Sequence, residues 1–116
     1  MPFTVQRTNL TERQTLWQLS GRLDSNTSSR LEQPLLDEVS TPNSDVILDC
    51  SGLLYISSAG LRVILMAAKR AKQNSSTLVL CSLQTNVHEV FDISGFLNIL
   101  TVEPDLDAAQ ARLSTD

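Results

Sequence analysis

The sequence predicts an α/β fold, a mixed β-sheet packed against several α-helices, and three features carry that reading. Two apolar runs of strand length, VILDC at 46–50 and STLVLCSL at 76–83, have the pattern of strands buried on both faces. Between them, Ser58 to Gln73 repeats apolar residues at helical spacing. Strand, helix and strand joined this closely form a βαβ unit, with parallel strands and a right-handed crossover. Ahead of that unit, apolar residues recur through the first 24 positions in two short strand-like stretches separated by a polar turn. A chain of 116 residues supports one core and not two, so residues 1–116 are read as a single domain.

FTVQRT (3–8) is the first strand and RQTLWQLSGRLD (13–24) the second, with a turn near Asn9 to Glu12 and Gly21 closing the second strand. DSNTSSRLEQPLLDEV opens on cap residues and sets Leu31, Leu35 and Val39 at helical spacing, which predicts a helix over 25–40. Pro34 should kink that helix or delay its start. TPNSD breaks the chain before VILDC. After Leu83, the spacing of Val87, Val90 and Phe91 predicts a short amphipathic helix that Gly95 stops. LNILTV (97–102) is a last strand, and EPDLDAAQARL a terminal helix with Pro104 in its first turn.

On the central helix, Leu61, Ile64, Leu65, Ala68 and Ala71 share one arc that must face the sheet. Arg62, Lys69 and Gln73 form a polar flank. Val63, Met66 and Arg70 fall opposite the core arc, where two sizeable apolar side chains are either scattered surface residues or a partner-binding patch. No Asp or Glu occurs from Cys50 through His88, although the chain carries a net charge of −4. This locally basic segment suits an acidic partner surface, or an anionic group at the helix start. Lys and Arg near a helix C-terminus also complement the dipole of an ordinary solvated helix.

Composition excludes several functions. An acidic chain with pI near 4.8 lacks the clustered cations that nucleic-acid binding needs. No apolar run is long enough to span a membrane and no secretory leader is visible, so direct membrane insertion is not expected and a cytoplasmic location is. Cys50 and Cys81 lack a CxxC pattern and read as two buried reduced thiols. Without a histidine and cysteine cluster there is no metal site, and no motif implies a cofactor.

SSAGL, at 57–61, is the stretch to test for chemistry. A hydrolase needs a nucleophile with a base, but His88 is the single histidine, and Ile56 stands where a nucleophile elbow requires its first glycine. No Gly-Lys pair provides a phosphate-binding loop. What remains is a serine hydroxyl at the N-terminus of a helix that follows a parallel strand. There it serves as a cap, or as a cap and a phosphorylation switch, since the helix dipole and Arg62 accommodate a phosphate. The residues alone leave both open.

VILDCSGLLYISSAGLRVIL resembles the signature of STAS domains, the sulfate transporter and anti-sigma factor antagonist fold, in the bacterial anti-sigma factor antagonist branch. The matching residues are Asp49, Ser51, Tyr55, Ile56, Ser58, Gly60 and Leu61, and LSGRLD (19–24) and VHEVFDISGFLNILTV (87–102) resemble flanking parts of the family. The resemblance implies a STAS-type fold and a non-enzymatic binding protein. Its unphosphorylated form would bind an anti-sigma factor that is also a serine kinase with a histidine-kinase-like ATPase fold. Phosphorylation at the helix start would release it, and a metal-dependent serine phosphatase would restore it.

By motif position the acceptor is Ser58, with Ser57 the less favoured site. Arg22, Leu23, Asp24, Ser57, Ala59, Gly60, Arg62 and the exposed Val63 and Met66 would form the surrounding contact surface. Many family members have Asp before the acceptor, where this chain has Ser57. The alternative function is a STAS module acting as a structural subunit of a transport complex or signalling assembly, without a phosphoswitch. Homodimerisation through the first strand is left open.

Overall fold

The computed structural model describes residues 2–113. A five-stranded sheet runs in sequence order, with β1 (Thr4–Asn9), β2 (Gln14–Leu23), β3 (Asp45–Ile56), β4 (Thr77–Cys81) and β5 (Thr101–Glu103). β1 pairs antiparallel with β2, and all other neighbours are parallel, which makes the sheet mixed as expected. The helices are α1 (Ser28–Ser40), α2 (Ser58–Gln73), α3 (Thr85–Ile93) and α4 (Leu106–Leu113).

Residues of α1, α2 and α3 join one core on a single face of the sheet, built around Leu31, Leu35, Val46, Leu48, Ile64 and Phe91. The other face carries a smaller core of Leu16, Ile47, Val79, Cys81, Ala109 and Leu113, closed by α4. Consecutive residues of β3 and β4 therefore bury on opposite faces, which is why their sequences read as unbroken apolar runs.

The structure departs from the sequence reading at several boundaries. Gly21 does not end β2; the strand continues to Leu23 through a shift in pairing register. Gly21 sits at φ +95°, and a Cβ there would lie 2.5 Å from the Pro2 carbonyl oxygen, so the strand passes this point because the residue has no side chain. β3 is longer than VILDC by the segment 51–56, which pairs with β2 alone and carries two more residues than β2 over the same span. These bulges break the alternation that marks a strand.

Asp24 to Thr27 form a tight turn before α1, in which the Asp24 backbone N–H donates to Thr27 Oγ1 at 2.9 Å, and the helix starts at Ser28 rather than 25. Pro34 lies exposed inside α1 and the helix runs on past it. The stretch 97–102 is not one strand. A 3₁₀ turn at Phe96–Asn98 precedes the three-residue β5. Pro104 lies outside α4, which Asp105 starts by accepting from the Ala108 N–H at 2.8 Å.

The inward face of α2 also needs correction. Gly60, Leu61, Val63, Ile64, Ala67 and Ala71 are buried, whereas Leu65 and Ala68 are half-buried. α1 packs along the flank that carries Val63, and Arg70 donates to Ser40 Oγ at the end of α1 at 3.1 Å. A neighbouring helix, which periodicity within α2 cannot show, turns its apolar arc away from Leu65 and towards Val63.

Candidate phosphoacceptor and docking site

The C-terminal ends of β2 and β3 hold the start of α2 between them. Leu23 pairs with Ile56 at the last rung, and the Ser57 N–H donates to the Leu23 carbonyl at 2.9 Å. The chain then turns into the helix. Gly60 lies against this corner so closely that a Cβ would meet Leu23 Cγ at 2.8 Å, Ile56 Cγ1 at 2.9 Å and the Leu23 carbonyl oxygen at 2.9 Å. Its glycine is a packing requirement that lets the first turn of α2 sit on the strand ends.

The two serines differ in their surroundings. Ser57 is the N-cap, with extended backbone at φ −97° and ψ 176°, and its Oγ accepts from the Gly60 N–H at 3.4 Å. Ser58 is the first helical residue; it is exposed and its hydroxyl makes no hydrogen bond to a described residue. The N–H groups of Ser58 and Ala59 have no intrahelical acceptor, as at any helix start, and no acidic residue stands in the first turn. The end of the helix dipole and these donors favour an anion there.

Beside the helix start, Arg22 lies with its guanidinium carbon 4.1 Å from the centre of the Tyr55 ring and its Nε 3.9 Å from Asp24 Oδ2. Solvent screens the ion pair, so the stacked ring does more to hold Arg22 in place. Asp24 is fixed by its turn, accepting from the Asn26 N–H at 2.9 Å. Arg22 and Asp24 therefore flank the strand ends at which α2 begins. Arg62 is exposed on α2, and Met66, further along the helix, is 37% exposed.

Three of the expected contact residues are not on the surface. Leu23 is fully buried and Gly60 is buried against it, and Val63 is 2% exposed in the core that α1 and α2 share. In their place the structure exposes Leu54 and Tyr55, on the part of β3 that extends beyond β4. Their exposure follows from the bulges of β3 and was not readable from apolar spacing. The unpaired edge of this segment is covered by side-chain amides: Gln84 donates to the Ser51 carbonyl at 2.7 Å and Asn86 to the Leu54 carbonyl at 2.8 Å.

Elsewhere, Cys50 and Cys81 are buried free thiols, as expected. Burial raises the Cys50 pKa far above its ordinary value and pushes Cys81 up to about 11, so neither is a nucleophile at neutral pH. His88 is exposed on α3. Among the described residues there is no cluster of three potential metal ligands, and no helix long and apolar enough to cross a membrane.

Comparison with known proteins agrees with this architecture. The sequence matches the STAS domain family over residues 5–109. The chain belongs to the STAS domain family. This STAS domain is 45% identical over 97 residues to BtrV of Bordetella bronchiseptica, described as an anti-sigma factor antagonist, with 84% of each chain covered. Its fold superposes on the Bacillus cell fate determinant SpoIIAA, an anti-sigma factor antagonist. The TM-score is 0.76 for the unphosphorylated form, at 14% identity and with 97% and 100% of the two chains covered. For the phosphorylated form it is 0.73, at 16% identity, with 95% and 99% covered.

Proposed function

We propose that this STAS domain is an anti-sigma factor antagonist controlled by phosphorylation of Ser58. The observation that carries the reading is the division of labour between the serines. Ser57 caps α2, and Ser58 presents an unbonded, exposed hydroxyl at a helix start that tolerates added negative charge. The 45% identity to a protein described as an anti-sigma factor antagonist supports the same reading.

The unphosphorylated domain binds an anti-sigma factor that doubles as a serine kinase of the histidine-kinase-like ATPase fold. The surface around Ser58 formed by Arg22, Asp24, Ala59, Arg62 and Met66, widened by Leu54 and Tyr55, makes the contact. A phosphate on Ser58 adds about −1.5 to −2 charges at the centre of that surface, repels partner carboxylates and releases the complex. A metal-dependent serine phosphatase returns the domain to its binding form. The domain is the substrate of this chemistry and supplies only the acceptor hydroxyl.

Wild-type and Ser58→Asp proteins used side by side as bait test the reading. A kinase of the stated class should be captured by wild type and lost with Asp, and incubation with that kinase and ATP should place phosphate on Ser58 by mass spectrometry. Labelling that persists in Ser58→Ala would move the acceptor elsewhere. Identical partners for both baits would mean that the domain is a structural module without a switch.

A further inference from the structure

A groove starts at Ser58 and runs along α2 on the side away from α1. Its first part, about 270 Å³, is lined by Ser58, Leu61, Arg62, Leu65, Ser94 and Phe96. Its second, about 340 Å³, shares Leu65 and continues past Ala68, Lys69 and Lys72 to Ile99 and Leu100. From Ser58 to Lys72 the helix rises about 21 Å, long enough for several residues of a bound segment.

Floor and rim differ in character. The floor is Leu65 and Ala68, which α1 leaves half-buried, facing Ile99, which is 68% exposed. The rim is basic. At about 100° per residue, Ser58, Arg62, Leu65, Lys69 and Lys72 fall within an arc of roughly 80°. None of the three cations is paired with a carboxylate among the described residues, and residues 50–88 contain no acid. In a chain of net charge −4, a row of unpaired cations beside an apolar floor is complementary to carboxylates flanking apolar side chains.

We propose that this groove docks an acidic amphipathic segment of the partner protein, which places apolar side chains between Leu65, Ala68 and Ile99 and carboxylates along Lys69 and Lys72. The inference rests on the anti-sigma factor reading, and extends the footprint beyond the phosphoacceptor end to the far half of α2. It also explains how a modification at one end acts on a long contact. A phosphate on Ser58 lies in line with the basic row, draws on Arg62 four residues on, and places a like charge against the acidic segment.

The test uses the anti-sigma factor kinase captured by wild-type bait, with binding measured by calorimetry at two salt concentrations. Lys69→Glu with Lys72→Glu should weaken binding on the order of tenfold or more and flatten its salt dependence. Ile99→Ser should weaken it at unchanged salt dependence, and Arg13→Glu, on the turn before β2, should leave it intact. Melting temperatures establish that each variant is folded, and should Ile99→Ser fail to fold, the lysine pair alone decides. Wild-type affinity in the folded lysine variant, with binding still abolished by Ser58→Asp, overturns the groove and leaves the antagonist reading standing. If no kinase is captured by wild type, the antagonist reading fails first, and the groove's partner with it.

Discussion

Ser57 and Ser58 have the same side chain one position apart, and their surroundings make them different. The cap bond of Ser57 to the Gly60 N–H is long, at 3.4 Å, but it satisfies one of the donors that the helix start leaves open. Ser58 has no such bond to lose. Ser57→Ala should therefore lower the free energy of unfolding by about 1 kcal/mol, whereas Ser58→Ala should change it by less than about 0.5 kcal/mol. Urea unfolding of the two variants measures both, and equal losses would contradict the assignment. The same comparison bears on the Ser at the position before the proposed acceptor. Ser, like Asp, is among the preferred N-cap residues, so the cap survives while the negative charge beside the acceptor is gone. Under the proposed switch, a kinase approaching Ser58 would meet a neutral neighbour.

At the scale of elements, the segment 51–56 decides the shape of the site. It extends β3 beyond β4, keeps β2 on one side, and has its other edge closed by the Gln84 and Asn86 side chains of the Gln84–Ile93 region. Replacing both with Ala removes two hydrogen bonds at a partly solvated edge and should cost about 1 kcal/mol in all. The more specific outcome is local. Amide exchange should accelerate over 51–56 and the first turn of α3, and stay unchanged in β4; uniform acceleration would mean that the two amides support the whole domain.

This segment is also where the sequence was least legible. The βαβ unit could be read from VILDC, the spacing after Ser58 and STLVLCSL, because a strand buried on both faces and an amphipathic helix leave distinct patterns. The strand through SGLLYI could not, because its two extra residues against β2 break the period. The exposure of Leu54 and Tyr55 depends on the same bulges, so it was missed with them. Likewise Val63 was placed outside because the position of α1 across α2 is a tertiary fact that no single-helix period contains. The start of α2 at Ser58 was legible because SSAGL is a contiguous stretch at a helix start, where local sequence and local structure coincide.

For the molecule as a whole, the two faces of the sheet carry separate cores. The α1–α2 face holds the main core and ends at Ser58, while the opposite face is closed by an eight-residue helix that completes a cluster of six buried side chains, two of them its own. Ala109 is fully buried in that smaller core, and none of the residues assigned to docking lies there. Ala109→Asp would force a carboxylate into an apolar cluster with no cation among the residues that form it. Undocking of α4 relieves that cost but exposes Leu16, Ile47 and Val79 to water. Either route should remove on the order of 3 kcal/mol and lower the melting temperature markedly. Below the new transition, phosphorylation of Ser58 and partner binding should persist, because the strand ends that seat α2 belong to the other core. Calorimetric melting, paired with kinase labelling at low temperature, checks both halves. Loss of labelling in protein that is still folded would show that the two faces are coupled, and that α4 takes part in the switch.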